Sequence, residues 1–263
     1  MLVWDRATKI VIWTLTGVVA GIFYVAPFAV IALASVAGEW NGLLPSALTF
    51  EHYADAISGD SGELLRVSLM TGVGASAISL TIGAWAALAL RKIARPSARV
   101  LDSLFFLPSA VPSVSVGLGL LVAFSRPPLL LNGTIAIVLI AHIVLISAFT
   151  YGNVSAGLAR LPADFEQVAE SLGAKPFYRL AHVTLPMILP QLIAAFSLSF
   201  ALSMGELGAT VMVYPPGWVT LPVGIFSLSD RGEIFEGAAL TVLLIVATLS
   251  VLLGLSAASR DRA

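Results

Sequence analysis

Cysteine is absent from the 263 residues, which excludes disulfides, iron–sulfur ligation and thiol nucleophiles. Charge is scarce: Asp, Glu, Lys and Arg together make 11% of the chain, where a soluble domain carries about 25%. Neither sign dominates. Fourteen Lys and Arg stand against fifteen Asp and Glu, a net charge of -1, so the basic footprint that nucleic acid requires is missing and no nucleic-acid partner is expected. No Gly-Lys dipeptide occurs, hence no Walker A loop to cradle nucleotide phosphates. No HExxH or GxSxG string suggests hydrolytic chemistry. The histidines, His52, His142 and His182, are far apart and lack HxxxH or HxxE spacing. They read as packed or scattered polar side chains, and no metal site is expected.

What the chain does have is apolar length: 58% hydrophobic residues and a mean hydropathy of +0.97. Water would not tolerate that much apolar surface, so lipid is the solvent. A helix needs about 20 apolar residues to cross the hydrocarbon. Six stretches qualify, at 10–36, 64–90, 101–124, 134–152, 187–213 and 237–257. Arg6 and Lys9 ahead of the first imitate a signal peptide, but its run exceeds an h-region of about 7–15 residues. The expected fold is all-α: a polytopic membrane protein with six transmembrane helices, one membrane domain over residues 1–263. Eleven basic residues fall on one side of these stretches: Arg6, Lys9, Arg91, Lys92, Arg95, Arg99, Arg160, Lys175, Arg179, Arg260 and Arg262. Arg66, Arg126 and Arg231 fall on the other. The richer side faces the cytoplasm, which puts both termini inside. The acidic 38–62 loop, with Glu39, Glu51, Asp55 and Asp60 and no Lys or Arg, agrees. A GxxxG at Gly17 and Gly21 is a weak packing signal.

Residues 161–190 read LPADFEQVAESLGAKPFYRLAHVTLPMILP. Pro162 and the acids Asp164 and Glu166 mark a helix start, and Gly173 with Pro176 beyond marks its end. Phe165, Val168, Ala169 and Leu172 lie at i, i+3, i+4 and i+7, an apolar stripe. Glu166, Gln167, Glu170 and Ser171 line the other face. Three places could take such a stripe: the chain's own neighbours, the membrane surface or a partner protein. An acidic polar face is repelled by the anionic inner leaflet, which weakens the second. Local packing and partner docking stay open on pattern alone.

The interval from Gly173 through residues 174–182 to Val183, Thr184, Leu185 and Pro186 resembles the cytoplasmic motif of ABC importer permeases. That motif runs E-A-A, three residues, Gly, nine residues, I-x-L-P. The triplet falls on Gln167, Val168 and Ala169, so its first two positions depart, which undercuts an ionic role for the first. The resemblance covers about 64–257 and implies the transmembrane domain of a type I ABC importer in a bacterial plasma (inner) membrane. It implies that loop 161–186 is a coupling helix seated in a separate ATP-binding subunit, with Phe165, Gln167, Val168, Ala169, Leu172, Gly173, Leu185 and Pro186 as the coupling residues. It further implies a second permease copy or paralogue and a periplasmic or extracellular solute-binding protein. ATP and magnesium would sit on the partner ATPase and no cofactor on this chain, which is not itself an enzyme.

Two stretches look broken. Pro108 and Pro112 interrupt the third in LPSAVPSVSVGLGLL, with Gly117 and Gly119 behind. Such a break is tolerated only under protein cover or beside a water-filled cavity, so it is either a packed kink or part of the translocation path. Glu206, in SMGELGAT between Gly205 and Gly208, is the acid deep within the fifth stretch. Burying it is costly, which makes it a gate or a helix-packing anchor satisfied by Ser203 or nearby backbone. A carboxylate repels an oxyanion and is no ligand for one. Residues 214–231, YPPGWVTLPVGIFSLSDR, are too apolar for a free loop and too Pro-rich for a span. A re-entrant piece suits them, or Tyr214 and Trp218 are interface anchors. The strings GELGATVMVYPPGWVTLP and SLSDRGEIFEGAALT resemble permeases for 2-aminoethylphosphonate; molybdate, sulfate, thiamine and ferric-iron importers share much of the pattern. A secondary transporter is the alternative class, disfavoured because it needs ion-coupling groups near the midplane.

Overall fold

A computed structural model describes residues 5–57, 60–91, 93 and 95–260. Lys92 and Arg262, both used for orientation above, lie outside them. Four helices are long and apolar enough to span a bilayer alone: Thr8–Ala34, Ser61–Leu90, Ile135–Arg160 and Ile234–Ala257. Two bent pairs meet the same test together. Val100–Ala110 and Ser113–Ala123 meet at 103°, and Pro176–Met187 and Leu189–Met204 at 67°. The expected third stretch, 101–124, is therefore not one continuous rod. α5 (Arg95–Phe106) gives way to a 3₁₀ turn at Leu107–Ala110, an extended Val111, and α6 (Ser113–Ala123). Proline explains the break, since it removes an N–H and pushes the residue before it out of the helical region. Val111 sits at φ -105°, ψ 135°, immediately before Pro112. The fifth stretch likewise fails to run unbroken over 187–213. α11 (Leu189–Met204) ends at Gly205, and α12 (Thr210–Val213) starts only after a non-helical turn.

The chain forms two compact units: Met1–Gly62 with Gly224–Ile245, and Glu63–Val223 with Val246–Ala263. In the first, α1 (Arg6–Ala20) and α2 (Ala26–Ala34) are joined by a π-turn at Gly21–Val25. Trp13 of α1 and Phe23 and Tyr24 of the π-turn are exposed, the surface expected of a lipid-facing helix. Among the described residues nothing lies within 4 Å of where a Cβ on Gly17 or Gly21 would stand, so the GxxxG makes no close packing there. The all-α expectation needs one correction. A two-stranded antiparallel ribbon, β1 (Ala37–Glu39) and β2 (Ala47–Leu48), precedes α3 (Glu51–Ile57). Side chains tie it down: Ser35 Oγ lies 2.7 Å from Tyr53 Oη, and His52 Nε2 3.0 Å from the Ala37 carbonyl.

The second unit is built on α4 (Asp60–Leu90), α7 (Ile135–Arg160) and α11. One apolar cluster joins Ala87 of α4 to Tyr151, Val154 and Leu158 of α7 and to Ile188 and Ala195. A second joins Ile137, Val138 and Ala141 of α7 to Ala209 and Val213. Lipid offers helices no hydrophobic reward for associating, so small residues and hydroxyls at the crossings set the packing. Ser79 Oγ and Thr150 Oγ1 meet at 3.0 Å where α4 crosses α7. At that crossing a Cβ on Gly83 would stand 2.8 Å from Thr150 Oγ1 and 2.9 Å from the Tyr151 nitrogen.

Residues 214–231 are pinned as well as partly helical. Trp218 Nε1 donates to Thr71 Oγ1 at 2.9 Å, and the Leu221 N–H donates to Ser68 Oγ at 2.6 Å. Trp218 is therefore held by α4, while Tyr214 stays partly exposed. Leu221–Asp230 forms a ten-residue helix, α13, too short to span. α14 (Ile234–Arg260) is continuous.

Gly83→Leu should cost about 1–3 kcal/mol through overpacking. The expected readout is an earlier thermal transition in detergent than for Gly119→Leu, whose site is open.

Candidate functional site

α7 ends at an extended Leu161, the residue before Pro162, and α8 (Ala163–Ser171) follows with Pro162 as its N-cap and Asp164 and Glu166 in its first turn. Acids there oppose the positive end of the helix dipole. It ends in a Schellman motif: the Ala174 N–H donates to the Ala169 carbonyl at 3.0 Å and the Gly173 N–H to the Glu170 carbonyl at 2.9 Å. Gly173 makes this possible at φ +83°, a conformation that L side chains rarely adopt.

Two of the acids of α8, Glu166 and Glu170, are engaged by the chain, while Asp164 is exposed and the apolar stripe turns away. Glu166 Oε1 accepts from Arg91 Nη1 at 2.9 Å, just past the end of α4, and from Thr184 Oγ1 at 2.9 Å. Glu170 pairs with Arg179 of α9 (Pro176–Arg179). Phe165, Val168 and Leu172 remain 50%, 59% and 83% exposed, so packing on the chain's own neighbours does not account for the stripe. Pro162, Asp164 and Val183 complete a shallow groove with them. Gln167, at the departed first position of the triplet, is exposed, and its carbonyl receives Ser171 Oγ. Leu185 and Pro186 open α10 (Leu185–Met187) directly after a π-turn at Leu180–Thr184. Leu185 packs against the core cluster, and Thr184 is buried.

The second candidate site surrounds the two helix breaks. A cavity of about 190 Å³ is lined by Pro108, Ser109 and Val111 from one break, Glu206 and Leu202 from the other, and His142, Leu145, Ile146 and Phe149 of α7. Pro108 and Glu206 therefore meet there. Pro112 and Gly208 are not among the lining residues, but the two breaks approach closely beside the cavity: a Cβ on Gly208 would stand 2.2 Å from Ser113 Oγ, and one on Gly117 2.7 Å from the Ala209 carbonyl. Gly205 ends α11 without any such close approach. The backbone satisfies Glu206, since Oε1 accepts the Ala209 N–H at 2.6 Å. Ser203 is otherwise engaged. Its Oγ lies 2.6 Å from His142 Nδ1, and Thr210 Oγ1 lies 2.9 Å from His142 Nε2. His142 is buried and staples both sides of the break. Sequence reading missed this role; the partners lie 61 and 68 residues away, and no local spacing signals them. Among the described residues no group of three or more His, Cys, Asp or Glu is placed to hold a metal ion.

The family profile for binding-protein-dependent transport system inner membrane components matches residues 79–262. The chain belongs to this family. The permease PhnV of Salmonella paratyphi A (strain ATCC 9150 / SARB42), named for 2-aminoethylphosphonate transport, is 54% identical over 97% of this chain and 96% of its own. The putrescine transport system permease PotI of Escherichia coli (strain K12) is 34% identical over 70% of each chain. A bacterial ABC transporter for import of the acidic polysaccharide alginate shares the fold, with a TM-score of 0.78 at 15% identity over 98% of this chain and 99% of that one. The molecule is thus a multi-pass ABC importer permease with the type I fold, and α8 and Gly173 fall within the family match.

For this permease, burial pushes the Glu166 carboxyl up, but the Thr184 hydrogen bond and the Arg91 and Arg179 charges outweigh it and hold the group below its ordinary value. A depressed carboxylate stabilises the fold above its unfolded pKa and loses that contribution as pH falls through the folded one. Hydrogen-exchange protection of α8 should therefore stay level down to about pH 5 and decline below about pH 4. Glu206→Ala removes the acceptor for the Ala209 N–H. Membrane levels of the permease should hold while uptake by its complex falls, as transport assays on matched membranes would record.

Proposed function

We propose that this permease works as half of the membrane pathway of an importer for a small phosphonate, with 2-aminoethylphosphonate the first choice. The carrying observation is the identity to PhnV along nearly the whole chain, well above the 34% to the putrescine permease. Oxyanion, thiamine and ferric-iron permeases are the competing assignments. The chain crosses the bacterial inner membrane six times if each bent pair counts as one span, both termini inside, and acts as one transmembrane domain. A second permease, identical or paralogous, completes the path. Two ATP-binding subunits and a solute-binding protein complete the complex, with nucleotide and magnesium bound by the ATPases.

The exposed stripe of Phe165, Val168 and Leu172 is the docking surface for the ATP-binding subunit. Phe165, Val168 and Leu172 offer a partner an exposed apolar surface, which favours a cleft lined with apolar side chains. ATP-driven closure of the ATPase pair pulls the α8 helices together, and the spans reorient by alternating access. The cavity between the breaks lies on the path, with Glu206 holding the broken backbone and not the anion.

Deletion and restoration of the gene in its native host tests the substrate: loss of growth on 2-aminoethylphosphonate as sole phosphorus source, with molybdate and sulfate uptake intact, is expected. A defect confined to another solute would overturn the phosphonate assignment. Gly173→Val strains the φ +83° turn, at roughly 1–2 kcal/mol. It should abolish import while the permease stays in the membrane at normal level, as immunoblotting against uptake would register.

A further inference from the structure

We propose that Glu166 is a positioning residue that makes α8 move as one body with the ends of α4 and α11, so that force delivered to the apolar face reaches the spans. The inference rests on the reading of α8 as the ATPase-docking helix and adds how the push leaves it. α8 hangs between two backbone swivels, the extended Pro162 and the left-handed Gly173. A helix held only at such points would roll when its outer face is loaded. Glu166 opposes that roll from the inner face. A single oxygen, Oε1, takes hydrogen bonds from two elements remote in sequence: Arg91, 75 residues earlier at the end of α4, and Thr184, 18 residues later at the close of the π-turn that leads through α10 into α11. Thr184 is buried, so its hydroxyl is a fixed anchor. The Arg179–Glu170 pair secures the far end of α8 to α9. Phe165, Val168 and Leu172 on the apolar face are half or more exposed.

Surface ion pairs usually add little stability. Arg91 and Glu166 are each about one-third exposed, and the role argued is transmission and not stability. The two roles separate in one experiment. The complete complex, with partner permease, ATP-binding subunits and binding protein, is reconstituted in proteoliposomes, and ATP hydrolysis and labelled 2-aminoethylphosphonate uptake are read on the same vesicles. Glu166→Ala should retain binding-protein-stimulated hydrolysis but import at least about fivefold less solute per ATP, the low end of measured coupling factors. The swap Arg91→Glu with Glu166→Arg should return the ratio to within about twofold of wild type. Should Glu166→Ala fail to assemble, Glu166→Gln, which keeps an acceptor for Thr184 without the charge, is read in its place.

An unchanged ratio in the single variant, or a swap no better than the single variant, overturns the proposal. Leu172→Asp is the control for the reading beneath it. Loss of stimulated hydrolysis is expected there, and wild-type hydrolysis would remove the docking role of α8 whatever Glu166 does. If wild-type vesicles take up no 2-aminoethylphosphonate, the phosphonate assignment falls and the same ratio is read with molybdate, sulfate or thiamine.

Discussion

A bilayer gives the backbone no hydrogen-bonding partner, and that constraint governs where this chain is allowed to stop being helical. α4, α7 and α14 comply by staying unbroken. The two broken segments comply by supplying the missing partners themselves. At the first, Ser109 Oγ donates to the Phe106 carbonyl at 2.7 Å, and the Val111 and Ser115 N–H groups find the Pro108 and Pro112 carbonyls. At the second, Glu206 receives the Ala209 N–H while His142 holds the hydroxyls on either side. The breaks also cover each other, because α6 packs on α12 closely enough to require Gly117 and Gly208. Irregular backbone, buried polar groups and a cavity occur together because each makes the others tolerable.

Outside the spans the same accounting takes a different form. α8 satisfies its C-terminal carbonyls with a glycine turn, and Glu166 and Glu170 with Arg91, Thr184 and Arg179. A soluble helix of this pattern would bury the stripe against its own chain and turn the acids to water. Here Glu166 and Glu170 are bound by the chain and Phe165, Val168 and Leu172 are exposed. That arrangement agrees with the docking role proposed for the stripe, with Glu166 bracing the helix from the other side.

The signals legible in the sequence were the local ones. Long apolar runs located α4, α7 and α14, and Pro108, Pro112, Gly173 and Pro162 marked breaks or ends that the structure realises. The size of the 103° bend was not legible, since proline announces a break without giving its angle. The short ribbon at Ala37–Leu48 escaped notice because its strands are three and two residues long, below any periodicity that reading detects. Glu166 was read as part of the polar face of α8 and His142 as a packed or scattered polar side chain. Their partners lie beyond any local window, and helix periodicity reports which residues share a face but not which way that face points.

That last distinction bears on how the departed triplet is understood. Gln167 and Val168 stand where the motif carries Glu and Ala, which removes a carboxylate from that position. One position earlier, Glu166 supplies a carboxylate on the inward face, where Arg91 and Thr184 reach it. A shift of one residue on a helix rotates a side chain by about 100°, enough to turn a charge from the partner toward the chain's own spans. On the docking role proposed for α8, the Glu166 carboxylate serves internal bracing and Phe165, Val168 and Leu172 are left for the partner.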